Sequence, residues 1–368
     1  MSAPVQPGGT VPARTDDGEI VPLRSMFAVP LVAAVTVVFA LVCTQVAGVE
    51  FGDPDHVGAR RLAMVWGFAA VLVLVDVAVR AGRRMHTFRP SLRAMKDVRR
   101  ERWTRHRGLA VTGALVGFYV TYVAYRNLKS IVPLLRPDEL YDRELAYADR
   151  IFFGFGTDPA ELLHSVLGTG VSTQVLSTVY VSFVFLLPLS LAIALVFAPN
   201  LRGGLFFATA LAANWTIGAA SYLILPARGP IYYVPEDFAK LPDSHASYLQ
   251  GLLLDERREF LADPAAPAAA QNIAAFASLH VSLLFTAALA AHLLGMGRTL
   301  RIALWALFVV SAVATVHLGW HYVLDVVAGV GIGLIALGIA CYLTDFRGRS
   351  ERTRTSGHPP CRGSARTR

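Results

Sequence analysis

Apolar residues run unbroken through long stretches of the chain, with short polar or charged segments between them. The runs show neither the alternation of half-buried strands nor the one-sided stripe of a surface helix. A run of about 20 apolar residues matches a hydrocarbon core of about 30 Å at a helical rise of about 1.5 Å per residue. Inside a bilayer only helices and closed barrels satisfy their own backbone, and these runs are far too long for barrel strands. The pattern predicts an all-α integral membrane protein with eight spans, at 25–49, 62–81, 109–127, 171–198, 205–225, 275–296, 302–319 and 321–344. Residues 1–24 are polar and read as a disordered N-terminus, and 345–368 as a basic tail. The first apolar run is too long for a signal-peptide core, and no convincing cleavage site follows it.

Composition agrees: of 368 residues, 54% are hydrophobic and only 16% charged, with a mean hydropathy of +0.49. A soluble domain carries about a quarter charged residues. The net charge of +8 does not point to nucleic acid, because the basic residues cluster beside the spans. With the N-terminus inside, the inner segments hold 23 of the 34 Lys and Arg, including eleven between Arg80 and Arg107. The bias of Lys and Arg toward cytoplasmic loops then places both termini in the cytoplasm. The two long outer segments, 128–170 and 226–274, each carry more Asp and Glu than Lys and Arg. The first is expected to include an interfacial helix. The second, with its Pro/Ala-rich stretch and DERREF run, reads as a mobile lid or as an ordinary surface loop. Cys43, Cys341 and Cys361 form no disulfide framework, and no cofactor motif is present.

Three segments carry chemistry, all at outer span ends. In His317-Leu-Gly-Trp-His321-Tyr-Val-Leu-Asp325, His321 and Asp325 share a helix face at a spacing of four. An aspartate there accepts a hydrogen bond from one ring nitrogen, fixes the tautomer and frees the other nitrogen for attack. Such a pair also serves as a lock between helices. In Phe276-Ala277-Ser278-Leu279-His280, His280 lies at the same depth as His321, where a second imidazole can protonate a leaving oxygen. In Pro226-Ala227-Arg228-Gly229-Pro230, Arg228 offers paired donors for phosphoryl oxygens, or snorkels to the interface.

The order of an Arg-Pro-type segment, Ser-x-His and His-x-x-x-Asp at outer helix ends resembles the type-2 phosphatidic acid phosphatase superfamily. The resemblance spans about 109–344, a six-helix core to which the first two spans look like an addition. It implies phosphoryl transfer with His321 as nucleophile forming a phosphohistidine, Asp325 as its orienter, His280 as the acid and Ser278 helping to bind phosphate. The implied substrate is a lipid or polyprenyl-type phosphate met at the extracytoplasmic face of the cell membrane, without metal or other cofactor. The chain departs from the family pattern at Ser221, where a lysine is usual, at Gly229, which separates Arg228 from Pro230, and at Ala277, Ala314 and Thr315. The GWHYVLD form and the missing arginine look more like the inositolphosphotransferase branch, which includes fungal inositol phosphorylceramide synthase and moves a phospho-headgroup between lipids. Asp149-Arg150 in the ADRIFFG stretch also looks similar to that branch, and Arg143 or Arg150 is expected to restore the missing positive charge, with His317 near the site.

Other readings remain. His317, His321 and Asp325 at i, i+4, i+8, with His280, would also make a metal shell. A transporter would show broken spans in two matching halves, and no such duplication is visible. Asp76 and Arg80 in the second span suit an ion path or an internal pair near the cytoplasmic end.

Overall fold

The computed structural model describes residues 22–53, 57–153, 156–198, 200–266 and 270–347. Most of the N-terminal segment and nearly all of the basic tail, with Cys361, lie outside the described residues, as does part of the Pro/Ala-rich stretch. The fold is all-helical among the described residues.

Among the described residues six helices are long and apolar enough to cross a membrane: α1 (Leu23–Ala47), α2 (Val57–Met85, apolar from Leu62), α4 (Arg105–Leu135), α8 (Leu201–Ile224), α12 (Arg298–His317) and α13 (Val323–Thr344). A seventh, α7 (Val171–Phe197), is bent by 44° between Phe183 and Phe185. Pro188 lies just beyond the bend, and a proline there removes the hydrogen bond back to the preceding turn. The run predicted at 275–296 forms the shorter α11 (Leu279–Leu293), fifteen residues long. Its expected first turn is instead non-helical, because other elements hold that backbone: Ala275 N–H donates to the Ala227 carbonyl at 2.8 Å, and Ser278 N–H to the Asp325 carbonyl at 3.1 Å.

At the centre stands α8, buried along most of its length and packed against α1, α4, α7, α11 and α13. Small residues permit the close approaches that drive helix association in lipid. A Cβ on Gly329 would sit 2.6 Å from the Ser278 carbonyl oxygen, and one on Gly333 would sit 2.8 Å from the Phe285 ring. The GVGIG stretch of α13 therefore presses directly on α11. Although the sequence makes the first two spans look like an addition, α1 packs against α4, α8 and α13 and is knit into the same core.

Shorter helices gather at the two ends. At one end α3 (Leu92–Arg102) folds under α2, where Arg102 and Arg80 donate to Asp76 at 2.8 and 2.9 Å. Arg102 also reaches the Val196 and Ala198 carbonyls at the end of α7. Asp76 is therefore an internal pairing point. At the other end lie α5 (Asp142–Phe152), α6 (Pro159–Leu167), α9 (Pro230–Tyr233) and α10 (His245–Ala262). The 226–274 segment is ordered and pinned where it is described: Gln250 donates to the Leu318 carbonyl at 2.7 Å, and Ala246 N–H to the Ser177 hydroxyl at 2.8 Å.

Candidate active site

The three sequence segments meet at the end of the bundle that carries α5, α6, α9 and α10. The α12–α13 turn is shaped by Gly319 at φ 73°, a conformation that side chains resist. It stops α12 at His317 and restarts the helix after Tyr322. His321 is thereby left in the turn, 6% exposed, with Nδ1 3.3 Å from Asp325 Oδ2. Asp325 is fully buried; the same oxygen accepts Tyr322 N–H at 3.0 Å, while Oδ1 has no partner among the described residues. The carboxylate thus holds the ring from behind.

Two further aspartates brace this turn. Asp149 of α5 accepts Val323 N–H at 2.6 Å and Leu324 N–H at 3.0 Å, capping α13 where its first amides lack helical partners. Burial pushes its carboxyl up to about 6, against the pull of those two N–H groups. Asp142 accepts Arg228 N–H at 3.0 Å, Gly229 N–H at 2.8 Å and the Tyr322 hydroxyl at 3.1 Å, joining the arginine loop to the histidine turn. Gly229 sits at φ 102°, and a Cβ there would lie 2.5 Å from the Trp320 carbonyl oxygen. Only glycine lets these two loops touch.

His321 and His280 line one cavity of about 250 Å³, together with Arg228, Lys129 and Arg126. His280 is clasped between aromatic rings of α7, Tyr180 at 4.3 Å and Phe183 at 4.4 Å between centroids. Most of the remaining wall is aromatic or aliphatic, with Phe118, Tyr119, Leu187 and Trp215 on it. Two imidazoles, a carboxylate behind one of them and three cations thus converge under an apolar wall. Such a site can bind an anion esterified to an apolar group and transfer it.

Two of those cations escape sequence reading. Lys129 and Arg126 belong to α4, outside every motif, and Lys129 Nζ lies 5.3 Å from the centre of the Tyr222 ring. Ser221, where the resembling family has lysine, instead meets the backbone before α11: its hydroxyl accepts Ala277 N–H at 3.0 Å and lies 2.8 Å from the Gly218 carbonyl and 3.2 Å from that of Phe276. A basic residue three or four positions from another on the last turns of a span is the one signal that marks Arg126 and Lys129.

Other expected residues lie elsewhere. Arg143 and Arg150 are exposed on α5 and do not line the cavity. Ser278 is fully buried and caps α11 through Val281 N–H at 3.5 Å, off the cavity wall. His317 also faces away: its Nε2 is 2.9 Å from the Thr173 hydroxyl, and its carbonyl meets His164 Nε2 at 2.8 Å. His317 and His321 therefore do not share a ligand shell.

The architecture is that of an integral membrane protein with a histidine-pair site at one end of a helical bundle. Residues 144–339, over half of the chain, match the PAP2 superfamily, and the chain belongs to that superfamily. Membership points to membrane phosphatase or phosphotransferase activity. The match takes in His280, His321, Asp325 and Arg228 but not Lys129 or Arg126. No curated protein and no solved structure matches the chain.

Proposed function

We propose that the protein transfers a phosphoryl group, with any headgroup it carries, from a lipid or polyprenyl-type phosphate to a hydroxyl acceptor. The observation that carries this reading is the shared cavity of His321, His280, Lys129, Arg126 and Arg228, with Asp325 at the far side of the His321 ring. His321 Nε2 attacks phosphorus while Nδ1–H donates to Asp325, which balances the charge that develops on the ring. The bond from phosphorus to the leaving oxygen breaks, and His280 gives that oxygen a proton. His280, now neutral, takes the proton of the incoming hydroxyl. The hydroxyl oxygen attacks the phosphohistidine and His321 is restored. Lys129, Arg126 and Arg228 neutralise the phosphoryl oxygens throughout, which is the largest task in phosphoryl transfer.

The aromatic and aliphatic wall favours a lipid alcohol as acceptor, in line with headgroup transfer of the inositolphosphate type. Water as acceptor makes the same site a lipid phosphatase. Incubating the purified protein with a ³²P-labelled lipid phosphodiester, with and without a lipid alcohol, separates the two. A base-stable, acid-labile label on the wild type, absent in His321→Ala, is expected. Label that persists in His321→Ala would end the nucleophile assignment.

The site is assigned to the extracytoplasmic side on the charge bias of the loops. In a cysteine-free background, Tyr248→Cys on the exposed side of α10 should react with an impermeant maleimide on intact cells. Reaction only after lysis would reverse the topology.

A further inference from the structure

Helix α10 lies at the end of the bundle that carries the catalytic cavity, and its two faces differ. Ala246, Gln250 and Phe260 are buried and Leu249 and Leu253 half-buried, a stripe at helical spacing. Tyr248, Leu252 and Asp255, on the other side, are exposed.

Leu249 and Leu253 line the catalytic cavity with His280 and His321. They pack against the cluster that contains Tyr180 and Trp320. Those two rings stack at 5.1 Å between centroids, and Tyr180 stacks in turn on His280 at 4.3 Å. The two leucines therefore bear on the rings that clasp the acid imidazole.

Hydrogen bonds tie α10 down on several sides. Ala246 N–H donates to the Ser177 hydroxyl at 2.8 Å, and Gln250 Nε2 to the Leu318 carbonyl at 2.7 Å. The Tyr232 hydroxyl donates to the Gln250 carbonyl at 3.1 Å, and Asn272 Nδ2 to Glu256 at 3.1 Å. The partners belong to α7, the α12–α13 turn, α9 and the segment before α11, each of which also supplies a residue to the cavity wall. A helix anchored to all four is a fixed part of that wall.

We propose that Leu249 and Leu253 determine the acceptor: they keep water from the phosphohistidine and so direct the phosphoryl group to a lipid alcohol. This rests on the phosphoryl-transfer reading of the cavity. With either acceptor its oxygen bonds phosphorus, the bond from phosphorus to His321 Nε2 breaks, and His280 takes the acceptor's proton. Bulk water outnumbers any lipid alcohol, so transfer prevails only where water is shut out. A water settles in a buried site only with several polar partners, and two leucines offer none. Phe118 of α4 and Leu187 of α7, both in mid-span, carry the apolar wall on toward the bilayer centre, where a lipid alcohol is at hand and water is not.

The test follows the fate of the label. The full-length protein in detergent receives a ³²P-labelled lipid phosphodiester and a lipid alcohol, and label is counted in the lipid product and in water-soluble phosphate. Leu249→Ser, Leu253→Ser and the double variant should each raise the ratio of hydrolysis to transfer about tenfold, the worth of one hydrogen bond offered to the attacking water. Phosphohistidine should still form. Leu252→Ser, on the exposed side of the same helix, should leave the ratio unchanged, as should the volume-conserving Leu253→Met. A melting curve for each variant confines the comparison to folded protein. A second readout needs no turnover: bromoacetate, a water-borne anion, should alkylate His280 or His321 faster in the double variant than in the wild type, read by peptide mass spectrometry. A ratio that does not move in the folded double variant, or that moves equally in Leu252→Ser, would overturn the proposal. Faster alkylation in the double variant, with no phosphohistidine in any protein, would instead remove the phosphoryl-transfer reading and leave α10 as the barrier to water.

Discussion

Asp76 and Asp325 are both buried on apolar helices, 2% and 0% exposed, at opposite ends of the bundle. Asp76 has one guanidinium on each oxygen, Arg80 at 2.9 Å and Arg102 at 2.8 Å, and Arg102 continues to two carbonyls of α7. Among the described residues Asp325 has no Lys or Arg in contact; one oxygen meets an imidazole and an amide, and the other has no partner. A buried charge is costly unless paired, so a fully paired carboxylate serves the fold. An underpaired one behind a cavity-lining histidine persists where its charge is used by that neighbour, here His321. The two aspartates thus separate holding the bundle together from running its chemistry.

Substitutions can break that separation. His321→Ala should have the largest effect, a loss on the order of 10⁴- to 10⁶-fold in turnover, as when a nucleophile unit is removed elsewhere. Turnover is measured per folded, monodisperse molecule, and the melting temperature should change little. Asp325→Asn should cost about 10⁴-fold in turnover, because an amide stabilises the wrong tautomer and cannot balance an imidazolium. If Asp325→Asn instead lowers the melting temperature and spares turnover, Asp325 is a second Asp76.

The reverse is expected at the other end. Asp76→Asn leaves Arg102 buried against a neutral partner and should destabilise the protein by about 3–5 kcal/mol. Turnover of the molecules that remain folded should stay near the wild-type value. Lys129→Met should lower kcat/KM about 10- to 100-fold by removing one charge-assisted contact to phosphate, with little effect on melting. A Lys129→Met enzyme with unchanged kcat/KM would leave Arg126 and Arg228 as the phosphate cations.

The apolar runs made the spans legible, because a run of that length has one physical solution in lipid. His321 with Asp325 was legible as well, since their geometry is local to one turn and the start of α13. Contacts between distant segments were not. Lys129 and Arg126 look like snorkelling residues at a span end, and only the packing of α4 against α8 turns them toward the histidines. The i, i+4 spacing placed His317 beside His321, but it holds only in an unbroken helix, and Gly319 at φ 73° rotates His317 toward Thr173. Asp142, and the capping role of Asp149, were hidden in a charged segment for the same reason: the amides they cap lie 86 and 174 residues away in the chain.

Asp149 lies between the two extremes, met by two backbone amides and by no cation among the described residues, and it supplies the smallest expected effect. Its folded pKa of about 6 lies above the value of about 3.9 expected in the unfolded chain. Between those values the folded state binds the proton more tightly, so this group's stabilising contribution is complete below the unfolded pKa and is lost as pH rises through about 6. Other carboxylates and histidines titrate in the same range, so the wild-type melting temperature alone does not isolate it. Asp149→Asn keeps one oxygen for the α13 amides and removes the titration. The difference in melting temperature between wild type and Asp149→Asn should therefore be more favourable to the wild type at pH 5 than at pH 7. A difference that does not move with pH would mean that the two α13 amides outweigh burial. Asp149 would then stand with Asp76, a carboxylate whose charge the fold has fully met.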